Sequence, residues 1–436
     1  MKTAVCGVIA EACPFFLSLS NFLEEKGITT IHVEPEYSGG VWLIEKKINY
    51  YFSFDKKYSC SLPWEEKYDN FIRYNLKMIE IHYKNEKQIN KYKIKLRKKA
   101  KRLLNFYYYF FQKNGIDVLL FWNGFQFNSA VAKIAANLLN IKCLYFEKSL
   151  IPYYLQIDRN GINYENSLKK LLRNTLPNDP LKPLEYFINL IQQTQPVYNP
   201  LVSISRSNKA KFFLKEARYK DFVVHLLNSI NEKFLSYTSL KKIDVKRSLS
   251  CQNYIFFPLQ VTDDTQLLYF GNQFISNTQT IKEISKVINE IDPSSEIIFK
   301  VHPFERNQKD IIEIYKTAAG LNNCFITDEP THELIKNSKL VITVNSSVGF
   351  EAILFQKPVV LLGNSLYSDI GLAIKVNNIT EIKSNYDEIL SFKPDLSVII
   401  RCANALESIL VRCYFVNPSI SELGAVWNFM KKLLYN

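Results

Sequence analysis

The sequence predicts an α/β protein of two Rossmann-like domains, with extra helices in its N-terminal half. Three observations carry that expectation. At 436 residues the chain is too long for one ordinary domain. Short apolar runs alternate with helical patterns in both halves, as parallel β-α-β units require. Hydrophobic residues at 47% and charged residues at 22% allow sizeable buried cores.

The first element is strand TAVCGVI (3–9), followed by helix PFFLSLSNFLEEKG (14–27) and strand TTIHVEP (29–35). The opening stretch contains Glu11 and Pro14 and runs straight into that second strand, so it reads as a β-loop-α-β unit rather than a signal peptide. From Trp64 to Gln112 the pattern turns helical and very basic. Ile94, Leu96, Leu103, Leu104, Tyr107 and Tyr108 are expected on one face. The Lys and Arg residues of 91–102 then lie elsewhere, either solvated or against an anionic membrane surface. Strand DVLLFWNG (117–124), helix NSAVAKIAANLLN (128–140) and strand KCLYFEKS (142–149) form a second β-α-β unit ending near Glu147. Residues 165–250 read as polar and helical. A boundary is expected at 240–252, with a first domain over 1–245.

The second domain, 246–405, reads as five strands alternating with helices. The strands are NYIFFPLQ (253–260), EIIFKVHP (296–303), NCFITD (323–328), KLVITVNSS (339–347) and PVVLLG (358–363). The tail 406–436 is helical and is expected to pack back on the first domain.

Chemistry gathers at the carboxyl ends of these strands, where open α/β sheets bind ligands. His302 and Pro303 follow one strand. Asn345, Ser346 and Ser347 lie between another and a helix, where hydroxyls and free N–H groups make a natural phosphate site. His302 could donate to the same phosphate. Glu351, one turn past Ser347, suits ribose hydroxyls, and Gln260 at the end of FPLQ suits a base. Each feature also has a structural explanation: a strand-terminal His is often architectural, and NSS before a helix is a good N-cap without a ligand.

The set PLQ, HP and NSSVGFEAILFQKPVVLLG resembles the donor-binding half of the capsule polysaccharide β-Kdo transferases. The stretch FEKSLIPYYLQIDRNGINYENS (146–167) is similar to the one carrying their Gln-x-Asp-x-x-Gly motif, here Gln156, Asp158 and Gly161. The resemblance covers roughly 117–167 and 254–363. It implies a GT-B fold with two Rossmann-like domains facing a central cleft, CMP-Kdo as donor, and transfer with net retention to a capsule or lipopolysaccharide glycan. It would make Asp158 a nucleophile that carries the sugar covalently, as two displacements with retention need. The structural alternative for Asp158 is a turn-forming residue in D-R-N-G. Glu147 is the candidate for acid/base or acceptor-orienting work. For the carboxylate of Kdo, Arg159 and Lys300 are candidates by position. A CMP sugar has a single phosphate, so no metal or other cofactor is expected. The adjacent Asp263 and Asp264 form no Asp-x-Asp motif and read as a loop or N-cap.

Other function classes are narrowed by composition. A net charge of +13 points to an anionic partner, or simply to solubility for a chain with 30 Phe and 26 Tyr. No common nucleic-acid motif appears, and no nucleic-acid partner is expected. The eight Cys form no CxxC pair, which fits a reducing, cytoplasmic setting, peripheral to the inner membrane face. No uncharged apolar run reaches the length of a membrane span. A CMP-sialic-acid-dependent transferase and a non-catalytic glycan-assembly subunit remain the alternatives.

Overall fold

The structure is a computed structural model that describes residues 1–51, 61–83, 85–168, 170, 172, 180–193, 253–262, 264–274, 276–305 and 307–435. The chain divides into two compact units. Among the described residues the first holds 1–167 and 409–435, and the second holds 168–193 and 253–408. The expected boundary at 240–252 lies outside the described residues.

In the first unit, β1 (Lys2–Cys6), α1 (Cys13–Glu24) and β2 (Thr29–Val33) form the predicted opening. α2 (Tyr37–Glu45) and α3 (Arg73–His82) precede the long α4 (Glu86–Asn114). Asn85 caps α4 by accepting from Lys87 N and Gln88 N, and Gly115 closes it in the left-handed region at φ 61°. Then come β3 (Val118–Trp122), α5 (Phe127–Leu139), β4 (Lys142–Lys148) and β5 (Tyr154–Asp158). The expected apolar face of α4 holds for Leu103, Leu104 and Tyr107, which are buried, but Ile94 is 52% exposed. The C-terminal half of α4 packs on the unit, while Lys87, Lys91, Lys95, Lys98, Lys99 and Lys101 are exposed before Leu103.

The sheet order is Val411–Arg412, β5, β4, β3, β1, β2. β2, β1, β3 and β4 are parallel, and β5 runs antiparallel to β4, a pairing the sequence reading did not foresee. Side chains alternate across a strand, so β4 and β5 divide cleanly. Leu144, Phe146, Leu155 and Ile157 enter the core with Phe15, Phe16 and Trp122. Tyr145, Glu147, Gln156 and Asp158 occupy the opposite face, with Glu147 directly across from Gln156 and Tyr145 from Asp158. Phe15 and Phe146 pack at 5.6 Å between centroids, and Phe16 meets Phe146 edge-on at 5.5 Å. Such pairs contribute about 0.5–1.5 kcal/mol each beyond area burial. The C-terminal helix Ile420–Tyr435 buries Val426 and Met430 in this same core.

The second unit holds β6 (Tyr254–Pro258), β7 (Ile297–Lys300), β8 (Cys324–Ile326), β9 (Ser338–Thr343), β10 (Val359–Leu361) and β11 (Ile374–Lys375). Their order is β11-β10-β9-β6-β7-β8, every pair parallel. The five predicted strands are present, and the short β11 adds a sixth. Because the chain runs β6-β7-β8 outward and then returns to the other side of β6, the strand order reverses between β6 and β9. That is the switch point at which open α/β sheets bind ligands.

The helices of the second unit are α6 (Leu184–Gln192), α7 (Thr265–Phe270), α8 (Asn277–Ile291), α9 (Gln308–Ala319), α10 (Thr331–Asn337) and α11 (Ser347–Leu354), with further short ones beyond β11. α6 corrects the expected first domain of 1–245. Its buried Leu184, Phe187, Leu190 and Ile191 face the second unit, where α6 packs on α11. Just before it, Lys182 N donates to Asn404 Oδ1 at 2.9 Å, and Lys182 Nζ pairs with Glu407 at 2.6 Å. The reading of 165–250 as polar and helical did not show that α6 has a buried face or which unit covers it.

Candidate functional site

Three neighbouring strand ends meet in the second unit. At the switch point, Gln260 after β6 and Asn345 after β9 are both buried and bonded to each other, Gln260 Nε2 donating to Asn345 Oδ1 at 2.8 Å. Asn345 Nδ2 donates to the carbonyls of Gln266 and Asn364, and Asn277 Nδ2 to the Gln260 carbonyl at 2.7 Å. This corrects the expectation that Gln260 presents its amide to a base. A buried amide must satisfy its own donors and acceptor, and Asn345 on the adjacent strand does so. Both residues hold the switch point together.

Ser346 caps α11, its Oγ accepting from Val348 N at 3.3 Å. Its carbonyl is held by the buried Tyr367, whose hydroxyl donates at 2.5 Å. Gly349 makes that contact possible, since a Cβ there would come within 2.2 Å of the Tyr367 hydroxyl oxygen. Ser347 is exposed, at the first turn of α11. Val348 N is met by Ser346 Oγ and Gly349 N by the Ser346 carbonyl at 3.0 Å, so the N–H and hydroxyl of Ser347 are the donors at this helix start suited to a phosphate.

At the end of β7, His302 Nδ1 accepts from Phe304 N at 3.1 Å. A neutral imidazole then carries its proton on Nε2, which makes that nitrogen a donor. Glu305 fixes the loop: it accepts from Thr262 N at 2.8 Å, beyond β6, and from Asn307 N at 3.0 Å. Pro303 is exposed in this loop. Glu351 lies one turn along α11 and meets His332 Nε2 of α10 at 3.1 Å. Lys300, expected near a carboxylate, instead donates to the Glu329 carbonyl; burial lowers its pKa, with Asp328 and Glu329 opposing. Asp264 caps α7 by accepting from Gln266 N at 2.8 Å, and Asp263 lies outside the described residues.

The first-unit residues share one face of β4 and β5. Asp158 is 1% exposed; Oδ1 accepts from Asn160 N at 2.7 Å and Oδ2 from Ser167 N at 2.9 Å and from Ser167 Oγ. Gln156 is also buried, donating to the Lys148 carbonyl and Asn163 and accepting from Asn163 N and Asn166. It therefore locks the 160–166 loop onto β4. Glu147 is half-buried and accepts from Lys148 N at 2.9 Å. Diagonal neighbours across antiparallel strands stand about 7–8 Å apart, which is the relation of Glu147 to Asp158. Arg159 is exposed. Asp158 does not end a strand at the carboxyl edge of the parallel strands, because β5 runs the other way.

Residues 117–387 match the family model described as capsule polysaccharide biosynthesis protein. The chain belongs to that family. Among its relatives, the capsule polysaccharide export protein KpsS of Escherichia coli is 30% identical over 134 residues, 28% of this chain and 32% of KpsS. The capsule polysaccharide modification protein LipB of Neisseria meningitidis serogroup B is 23% identical over 268 residues, 56% of this chain and 62% of LipB. The chain thus spans less than two thirds of either relative. Among solved structures, the beta Kdo 2,7 transferase KpsC of Thermosulfurimonas dismutans is 18% identical with a TM-score of 0.35, covering 73% of this chain and 88% of that one. The UDP complex of S. aureus MnaA is 13% identical with a TM-score of 0.37, covering 99% and 96%.

In this member of the family, sequence reasoning missed His332, Glu305, Tyr367 and Ser167. Ser167 closes the already quoted 146–167 stretch. The other three act through contacts between elements distant in sequence, for which a linear pattern gives no signal. Among the described residues no three His, Cys, Asp or Glu side chains converge as a metal site would require, and no helix is long and apolar enough to cross a membrane.

Proposed function

We propose that this chain is a retaining β-Kdo glycosyltransferase, moving Kdo from CMP-Kdo onto a growing capsule glycan through an adduct on Asp158. The observation that carries this reading is that His302 follows β7 and the first turn of α11 follows β9, the two strands flanking β6 at the switch point, with Glu351 one turn along α11, chemistry suited to a nucleoside monophosphate. Family membership and the Gln156-x-Asp158-x-x-Gly161 resemblance support it. His302 Nε2–H and the N–H and hydroxyl of Ser347 stabilise the phosphate as it takes up the bonding pair on leaving. Glu351 accepts from the ribose, oriented by His332. Asp158 Oδ1 forms a bond to the anomeric carbon while the bond to CMP breaks. An acceptor hydroxyl then displaces Asp158 as Glu147 takes its proton, which restores the original configuration. No metal is invoked, because one phosphate can be held by these donors alone.

The test measures CMP release from CMP-Kdo and from CMP-Neu5Ac with the full chain. Turnover of CMP-Kdo is expected, with His302→Ala lowering kcat/KM by about a hundredfold, the scale of one lost transition-state donor. Turnover of CMP-Neu5Ac alone would move the assignment to a sialyltransferase. CMP binding without turnover of either would indicate a non-catalytic assembly subunit.

We further infer that α4 rests on an anionic membrane face. Lys87, Lys91, Lys95, Lys98 and Lys101 are exposed at helical spacing, with the 52% exposed Ile94 among them. Each such charge contributes about 1 kcal/mol at an anionic surface, so Lys91, Lys95 and Lys98 together replaced by Gln should weaken vesicle binding about a hundredfold. Co-sedimentation with phosphatidylglycerol vesicles measures it. Equal binding to phosphatidylcholine alone would remove the inference.

A further inference from the structure

The acidic sugar invoked above needs a cation; of the expected candidates, Arg159 is exposed and Lys300 donates to the Glu329 carbonyl. A different lysine packs on Tyr145, whose register partner is Asp158. α5 carries a single charged residue, Lys133, among thirteen. Its ammonium lies 5.0 Å from the Tyr145 ring centroid and 5.5 Å from that of Phe125. Tyr145 is directly across from Asp158, stacks on Phe121 at 5.4 Å, and presses so closely on Gly124 that a Cβ there would come within 2.7 Å of its ring. Gly124 sits at φ 81° and Asn123 before it at φ 50°, so the strand-to-helix turn is shaped to leave room for this ring.

The ammonium makes no hydrogen bond or ion pair among the described residues, only the two ring contacts. Nearby charge is already engaged. Glu165 is paired with Arg73 at 2.7 Å, and Asp158 with Asn160 and Ser167. Burial lowers the pKa of Lys133, with Glu165 opposing, yet aromatic faces favour the charged form. Lys133 is half-buried, and a partly buried ammonium without a carboxylate leaves room for an anionic ligand to pair with it.

We propose that Lys133, held over Tyr145 and Phe125, is the first unit's recognition site for a sugar carboxylate presented beside Asp158. The inference rests on the glycosyl-transfer reading for its substrate class. A carboxylate could come from the donor sugar or from an acidic acceptor, and the chemistry at Lys133 is the same.

Direct binding with the full chain tests it without turnover. The probes are the methyl glycoside of Kdo as its carboxylate salt and as its methyl ester. The salt is expected to bind at least tenfold tighter than the ester, a preference lost in Lys133→Met and largely kept in Lys133→Arg. Melting curves check that each variant is folded. An undiminished preference in folded Lys133→Met, or no binding of the salt by the wild type, would overturn the proposal. Turnover assigns the source. A tenfold rise in KM for CMP-Kdo in Lys133→Met points to the donor carboxylate. An unchanged donor KM with a raised KM for a Kdo-terminated acceptor points to the acceptor. Lys133-dependent binding by a wild type that turns over neither substrate would remove the transferase reading and leave this one standing.

Discussion

Replacing Asp158 by Asn is expected to lower sugar transfer by about a thousandfold or more and to abolish the mass gain of one Kdo that the wild-type protein should show when incubated with CMP-Kdo. A nucleophile makes a covalent bond that no neighbour can replace, and a thousandfold is only about 4 kcal/mol of barrier. The environment of Asp158 makes the substitution informative. A carboxylate offers about four lone-pair positions. Asn160 N takes one on Oδ1, and Ser167 N and Oγ take two on Oδ2. One position on Oδ1 remains for attack, while the others hold the group in place. Asn keeps the Oδ1 contact but turns a donor toward Ser167 N, so a stability loss of about 1–2 kcal/mol is expected. Asp158→Ala leaves three donors without an acceptor and should cost more. The two roles of Asp158 therefore separate: a turn anchor predicts activity that follows stability, and a nucleophile predicts activity lost far beyond it. An Asn variant that melts lower yet still gains one Kdo would leave Asp158 only its turn.

The sequence made the second sheet legible because parallel strands buried on both faces read as continuous apolar runs. KVHP and VNSS stood out at their ends for the same reason: polar residues stop those runs abruptly. What could not be read was adjacency. Gln260 and Asn345 are 85 positions apart, and only the return of β9 beside β6 makes them partners. A residue offered to a base and one locked in a clamp look alike until that neighbour is known. β5 was missed because YYLQID is short and half polar, so its antiparallel pairing with β4, which sets Asp158 across from Tyr145, could not be read. Lys133 did leave a signal, one charge in an otherwise uncharged helix, but cores and sites both produce such exceptions. The division between units was hidden for α6, whose apolar stripe says that it is covered without saying by what.

The clamp supplies the second large effect. Asn345→Ala is expected to destabilise the protein by about 3 kcal/mol or more and to lower its melting temperature by several degrees. The loss has several parts. Asn345 accepts from Gln260 Nε2 and donates to the carbonyls of Gln266 and Asn364, and its own N–H meets Gln260 Oε1 at 3.4 Å. Removing the amide leaves one donor and two acceptors unpaired in a buried place, each costing about 1–3 kcal/mol unless water enters. Asn345→Asp tests the assignment of donors: it can still accept from Gln260 but faces two carbonyls with a carboxylate, so it should be at least as damaging. The effect on binding should follow from position. Ser346 and Ser347 come directly after Asn345, so the α11 turn that would hold a phosphate is anchored by this side chain at one end and by Tyr367 at the other. CMP affinity measured on the folded Asn345→Ala protein should therefore fall as well, although Asn345 is buried behind the site. Wild-type melting and wild-type CMP affinity together would mean that the clamp holds nothing the ligand uses.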